Sequence, residues 1–128
     1  MSYYFTKIVN ASFDETVAKV TVKLKEEGFG ILTEIDIKET LKKKLNIDFR
    51  RYKILGACNP PFAYKALIAE SKIGTMLPCN VIVQEISDGK VEVTSINPVA
   101  SMQAVENPLL NEIAFEISNK LKAVIEKV

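Results

Sequence analysis

The sequence predicts a single α+β domain that spans residues 1–128. Its length suits one hydrophobic core, and a content of 48% hydrophobic and 26% charged residues is typical of globular proteins. Segments with the alternation of strands and segments with the spacing of helices follow one another along the chain. Asp88-Gly89 lies between two β-rich segments and predicts a hairpin. Because a hairpin is antiparallel, it favours α+β over a doubly wound parallel sheet.

The first part of the chain predicts a strand, a helix and a second strand. Residues 3–9 are aromatic and β-rich, as a strand requires. Ser12 and Glu15 form a capping box at the start of a helix, and Gly28 is placed to end it. The apolar face of this helix consists of Phe13, Val17, Val20 and Leu24. The alternation from Gly30 to Asp36 predicts the second strand.

The middle of the chain predicts a short helix, a strand and a third helix. Asp36 fits the cap of the short helix. Its expected inner face is Ile37, Leu41 and Leu45, with the lysines pointing outward. Tyr52 to Cys58 predicts the third strand. Asn59-Pro60 predicts the start of a helix to about residue 71, because asparagine favours the N-cap and proline the first helical position.

The last part predicts the hairpin and two further helical segments. Residues 81–86 and 91–96 are the arms of the hairpin. Asn97-Pro98 predicts a short helical turn, and Asn107-Pro108 predicts the start of the final helix. The apolar face of that helix consists of Leu110, Ile113, Ile117, Leu121 and Ile125. We find no repeat and no linker that would divide the chain.

The composition narrows the chemistry that the chain can perform. It has no histidine, which excludes Ser-His-Asp and Cys-His triads built within the chain. Any chemistry must come from carboxylates, thiols, lysine, tyrosine, backbone dipoles or a bound cofactor, and no particular cofactor is indicated. The sequence therefore leaves open whether the protein is an enzyme.

Charge and hydropathy favour an intracellular protein that binds neither nucleic acid nor membrane. The net charge of +1 does not indicate a binder of polyanions. Residues 38–53 form a basic stretch, which we interpret as the solvated face of a short helix. No apolar run approaches the roughly 18 residues of a transmembrane helix. The N-terminus lacks the features of a secretory signal, so the expected location is the cytoplasm.

Two Cys-Asn steps are the most unusual local features. Cys58-Asn59 ends a predicted strand, and Cys79-Asn80 begins another. If these strands are neighbours, both thiols lie at the same end of the sheet. A helix that starts after Cys58 would lower the pKa of its thiol and favour a reactive thiolate. The alternative is that both cysteines are small buried core residues. No metal site is predicted, because the cysteines are 21 positions apart and histidine is absent.

Two carboxylates form a second candidate site. Glu34 and Asp36 are two positions apart on a predicted strand and therefore lie on one face. Such a pair suits acid–base chemistry or the binding of a cation. Asp36 is also explained as a helix cap. A buried, ionised Glu34 would need a partner, for which Lys53 and Arg51 are the nearest residues in sequence.

Three stretches together resemble the domain-of-unknown-function family 302 of bacteria and archaea. They are residues 28–36, 56–60 and 77–81, which read GFGILTEID, GACNP and LPCNV. The resemblance implies an α+β fold with helices packed on an antiparallel sheet, a topology related to the TATA-binding-protein class, and a homodimer. It does not imply nucleic-acid binding. The positions that match the motifs of the family are Glu34, Asp36, Cys58, Asn59, Pro60, Pro78, Cys79 and Asn80.

Three functional hypotheses follow. The first is a small homodimeric ligand-binding or regulatory module, with a pocket near the two Cys-Asn steps and Glu34. The second is a thiol-dependent redox or sulfur-handling protein that uses Cys58 or Cys79. The third is a structural homodimer that serves a larger partner. The first requires that the candidate residues line an open pocket, and the second requires an accessible thiol of lowered pKa.

Overall fold

Five strands form one antiparallel sheet in the computed structural model, which describes residues 1–128. They are β1 (Tyr4–Val9), β2 (Gly30–Asp36), β3 (Tyr52–Cys58), β4 (Cys79–Ser87) and β5 (Lys90–Ile96). Their order in the sheet is β1-β5-β4-β3-β2, so β1 and β2 are its two edges. The predicted α+β class and antiparallel sheet are confirmed. The expected likeness to the topology of the TATA-binding-protein class stays a prediction.

Five α-helices connect and cover the strands. They are α1 (Phe13–Glu26), α2 (Ile37–Leu45), α3 (Pro60–Ala69), α4 (Pro98–Ser101) and α5 (Leu109–Lys127). A 3₁₀ helix at Ser71–Met76, which the sequence pattern does not indicate, follows α3. It begins after Glu70, whose extended backbone (φ −148°) ends α3. None of the helices is both long enough and apolar enough to cross a membrane.

Local capping interactions define both ends of α1. The Ser12 hydroxyl accepts a hydrogen bond from the Glu15 N–H at 3.2 Å, which is the serine half of the predicted capping box. At the other end, Gly28 adopts a φ of 87°, which a residue with a side chain rarely tolerates. The Phe29 N–H donates to the Leu24 carbonyl, and the chain turns back so that Phe29 is buried in the core.

The main core lies between one face of the sheet and the pair of helices α1 and α5. We call this side of the sheet the covered face. Most residues of the predicted apolar face of α5 are buried. Ile113, which belongs to the same face, is only partly buried. The core is formed chiefly by Val20, Leu24, Leu55, Val81, Val83, Val91, Val93, Leu121 and Val124, all with 0% exposure.

The predicted inner face of α2 is only partly correct: its lysines are exposed as expected, but Leu45 is exposed too. No residue of α2 is buried, and Leu45 is 61% exposed. The helix joins two neighbouring strands and packs beside β2 and β3. Because no further layer covers it there, Leu41 and Ile37 reach only partial burial.

The opposite side of the sheet, which we call the open face, carries exposed or partly buried side chains. They alternate with the buried valines of β4 and β5, as strand geometry requires. Only one carboxylate, that of Glu92, lies among the central residues of this face. It accepts a hydrogen bond from Gln84, which in turn accepts one from Arg50. The open face includes Tyr4, Thr6, Ile8, Ile54, Ile82, Gln84, Glu92, Thr94 and Ile96.

Candidate functional site

A cavity of about 280 Å³ lies where β3 ends and β4 begins. The strand ends contribute Ala57, Cys58 and Cys79 to its wall, and α3 and α5 close it from the side. Fourteen of its seventeen lining residues are hydrophobic, and none carries a charge. We call it the apolar cavity. Its lining also includes Phe29, Leu32, Asn59, Phe62, Ala63, Ala66, Leu67, Leu77, Pro78, Pro98, Met102, Ile113, Ala114 and Ile117.

Both cysteines line the apolar cavity. Neighbouring strands bring them to one end of the sheet, because Ala57 of β3 pairs with Cys79 of β4. Both are free and partly buried. Burial raises the pKa of the Cys79 thiol from 9.0 to about 11, with a smaller contribution from the nearby Cys58. Cys79 is therefore a neutral thiol near pH 7. A reactive thiolate requires a lowered pKa, whereas the pKa of Cys79 is raised.

Alkylation by iodoacetamide should distinguish the folded and unfolded states of Cys79. At neutral pH a pKa of about 11 instead of 9.0 leaves about a hundredfold less thiolate, so we expect slow labelling in the native protein and fast labelling in denaturant. Because the native state favours the protonated thiol, the free energy of unfolding falls as the pH rises from 9.0 to about 11.

The variant Cys58→Ala isolates the Cys79 signal in this labelling experiment, and Cys79→Ala supplies its background. Mass spectrometry of the labelled chain measures both rates. Native labelling of Cys79 that reaches a plateau below pH 9.0 would contradict the raised pKa.

Asn59 occupies the predicted N-cap position of α3, but its side chain does not cap that helix. The first two helical residues, Pro60 and Pro61, have no N–H to offer. The Asn59 amide instead donates to the Glu27 carbonyl at 3.3 Å. It therefore ties the start of α3 to the end of α1, and it lines the apolar cavity from this position.

Of the remaining motif residues, Pro78 lines the apolar cavity, whereas Asn80 and Pro60 do not. The Leu77-Pro78 peptide bond is cis, and Pro78 lines the cavity. Asn80 is exposed and lines a second cavity of about 370 Å³ instead. Pro60, the remaining proline of the matching motifs, is exposed and outside the cavity lining.

Glu34 and Asp36 do not join the cysteines. Glu34 forms a salt bridge with Lys53 at 2.7 Å and is 49% exposed at its side chain, so it is not a buried charge. The hydrogen bond to Glu34 raises the pKa of Lys53. The Asp36 carboxylate accepts a hydrogen bond from the Glu39 N–H at 2.9 Å, which is its predicted role as the cap of α2. The structure therefore separates the carboxylates from the thiols.

Most of the apolar cavity is formed by residues whose sequence pattern is that of ordinary core or indicates no role. Phe62 and Ala66 come from α3, and Met102 and Ile113 come from the C-terminal part of the chain. Leu32 is 67% exposed and lies at a bulge between β2 and β3.

The fold and the site together define an α+β domain with an apolar cavity of ligand size at one end of its sheet. Residues 5–128 match the family described as "Domain of unknown function DUF302", and the chain belongs to that family, as its three stretches predicted. A solved relative is the "uncharacterized conserved protein DUF302 from Bacillus stearothermophilus". It is 30% identical, with a TM-score of 0.91 over 99% of this chain and 98% of that chain. No curated protein matches.

Proposed function

We propose that this protein is a small ligand-binding or regulatory module that holds an apolar ligand in the apolar cavity. The observation that carries the proposal is a cavity of about 280 Å³ without a charged lining residue. An apolar cavity of about 150 Å³ is enough to bind benzene. Benzene has six non-hydrogen atoms, so by proportion a cavity of about 280 Å³ holds about eleven.

The lining of the cavity supports binding more directly than catalysis. Cys58 and Cys79 are its only titratable side chains. The pKa of Cys79, about 11, keeps that thiol protonated near neutral pH. The Asn59 amide is engaged with the Glu27 carbonyl. A ligand in this cavity would therefore gain apolar contact area, with few groups able to transfer protons to it.

Naphthalene, a probe with ten carbons, tests the proposal. We expect it to raise the melting temperature, because a ligand at ten times its Kd adds about 1.4 kcal/mol, or about 5 °C for a domain of this size. The variant Ala63→Phe places a ring in the cavity and should abolish the shift. Ala18→Phe, on the exposed side of α1, is the matched control and should keep it.

Chemical shifts of backbone amides locate the probe. Changes confined to residues such as Phe62, Cys79 and Ile113 are the expected pattern. The absence of any shift in melting temperature, or an equal shift in the Ala63→Phe variant, would count against the apolar cavity as the binding site.

We also propose that two copies pair through the open face. Five strands about 4.8 Å apart and about seven residues long present on the order of 600 Å² of flat surface, which is comparable to the roughly 800 Å² per partner of a standard interface. Isoleucine, tyrosine and threonine dominate the face, and its central carboxylate already has the Gln84 amide as a partner. These features suit a second copy of this chain better than a charged partner.

Sedimentation measures this association. We expect a mass twice the 14.3 kDa of the chain, and a shift to the single-chain mass for Ile82→Lys, which puts a charge at the centre of the open face. Val22→Lys changes an equally apolar residue that is 54% exposed on α1, and it should leave the dimer intact. A wild-type protein that sediments as one chain at every concentration would overturn the dimer.

We further propose the cytoplasm as the location of the protein. The support is that Cys58 and Cys79 are both free, although they lie at the same cavity. Free thiols are typical of a reducing compartment. Cell fractionation with an antibody against the protein tests this proposal.

A further inference from the structure

The second cavity shares a wall with the apolar cavity. Five residues line both of them: Leu77, Pro78, Cys79, Pro98 and Met102. Met102 is partly buried and has an unbranched, flexible side chain. It is the most flexible of the five shared residues. A single elongated ligand can therefore contact both.

The two cavities differ in polarity. The second cavity is lined by ten residues, half of them hydrophobic, and its polar residues are Thr75, Asn80 and Ser101. The Thr75 hydroxyl donates to the Lys72 carbonyl and the Ser101 hydroxyl to the Pro98 carbonyl, which leaves both oxygens free to accept. The Asn80 amide makes no hydrogen bond within the protein, so it offers both donors and an acceptor.

No charged side chain lines either cavity. A carboxylate or phosphate placed there would leave water without gaining a cation as a partner, which is unfavourable. A hydroxyl or amide, in contrast, finds both donors and acceptors at Asn80. The lining therefore favours uncharged polar groups of a ligand over ionised ones.

We propose that the two cavities form one site for an uncharged amphiphile, with its apolar chain in the apolar cavity and a hydroxyl- or amide-bearing head beside Asn80. This inference rests on the proposed function of the apolar cavity and specifies the chemical class of its ligand. It gives Asn80, which lies outside the apolar cavity, a role in recognising the head.

Three probes separate the contributions of chain, head and charge: naphthalene, monooctanoylglycerol and octanoate. Titration calorimetry below the concentrations at which micelles form measures each affinity. We expect monooctanoylglycerol to bind at least about tenfold more tightly than octanoate, because the ionised head of octanoate has no partner. Asn80→Ala should weaken monooctanoylglycerol binding about fivefold, the effect of one lost hydrogen bond, and leave naphthalene binding unchanged.

Asn119→Ala, an exposed amide on α5, is the matched control and should change none of the affinities. If naphthalene binds but octanoate binds as tightly as monooctanoylglycerol, the uncharged amphiphile is overturned while the apolar cavity stands. The same conclusion follows if Asn80→Ala leaves the affinity for monooctanoylglycerol unchanged. If neither naphthalene nor monooctanoylglycerol binds, the proposed function fails and this inference fails with it.

Discussion

The variant Leu121→Ala is expected to lower the free energy of unfolding by about 3 to 4 kcal/mol, the usual cost of a cavity left by a buried leucine. Leu121 lies on α5 with 0% exposure and belongs to the cluster that joins this helix to α1 and the sheet. The surrounding side chains come from several elements, so they cannot all move together to fill the space. Urea denaturation followed by circular dichroism measures the change.

Leu45→Ala is the matched control for Leu121→Ala. The same atoms are removed, but Leu45 is 61% exposed on α2, so we expect a change within about 0.5 kcal/mol. The comparison also tests the position of α2, whose predicted inner face included Leu45. Equal losses of stability in the two variants would mean that α2 covers the core after all.

The variant Gly56→Ala is expected to lower the free energy of unfolding by about 2 to 3 kcal/mol, because overpacking a tight contact displaces its neighbours. A Cβ atom at Gly56 would clash with the Thr33 hydroxyl on β2, and it would lie 2.8 Å from Cγ of Pro78. Thr33 and Pro78 approach Gly56 from different elements. Relief of one clash therefore leaves the other in place.

Gly30→Ala tests whether the loss in the Gly56 variant comes from contact or only from replacing glycine in a strand. A Cβ at Gly30 meets no atom within 4 Å, and this glycine has no positive φ. We expect an unchanged or slightly higher stability for Gly30→Ala, because alanine reduces the entropy of the unfolded chain. A similar loss in both variants would refute the close packing of Gly56.

Much of the fold could be predicted because local signals mark where its strands and helices begin and end. β2 and β3 have the predicted ends, since Asp36 caps the helix after β2 and Asn59-Pro60 follows β3 directly. The hairpin turn has Gly89 at a φ of 74°, as its Asp-Gly step requires. The burial of α2 could not be predicted in this way. Periodicity tells which residues share a face, whereas the layer that covers the face depends on the path of the whole chain.

The candidate site could be predicted only in part. The proximity of Cys58 and Cys79 follows from the pairing of β3 with β4, which a strand end and a strand start suggested. The other walls come from α3, α4 and α5, whose apolar residues have the same sequence pattern whether they fill a core or line a cavity. Glu34 lies outside the cavity because it pairs with Lys53 across β2 and β3.

The position of β1 has a consequence for the way the chain folds. β1 pairs only with β5, and Tyr4 lies opposite Ile96, 92 positions later. During synthesis the aromatic N-terminal segment therefore has no strand to join until the hairpin has left the ribosome. Such long-range pairing slows folding and leaves an apolar strand edge open to other chains in the meantime. The first strand to be made is thus among the last that can enter the sheet.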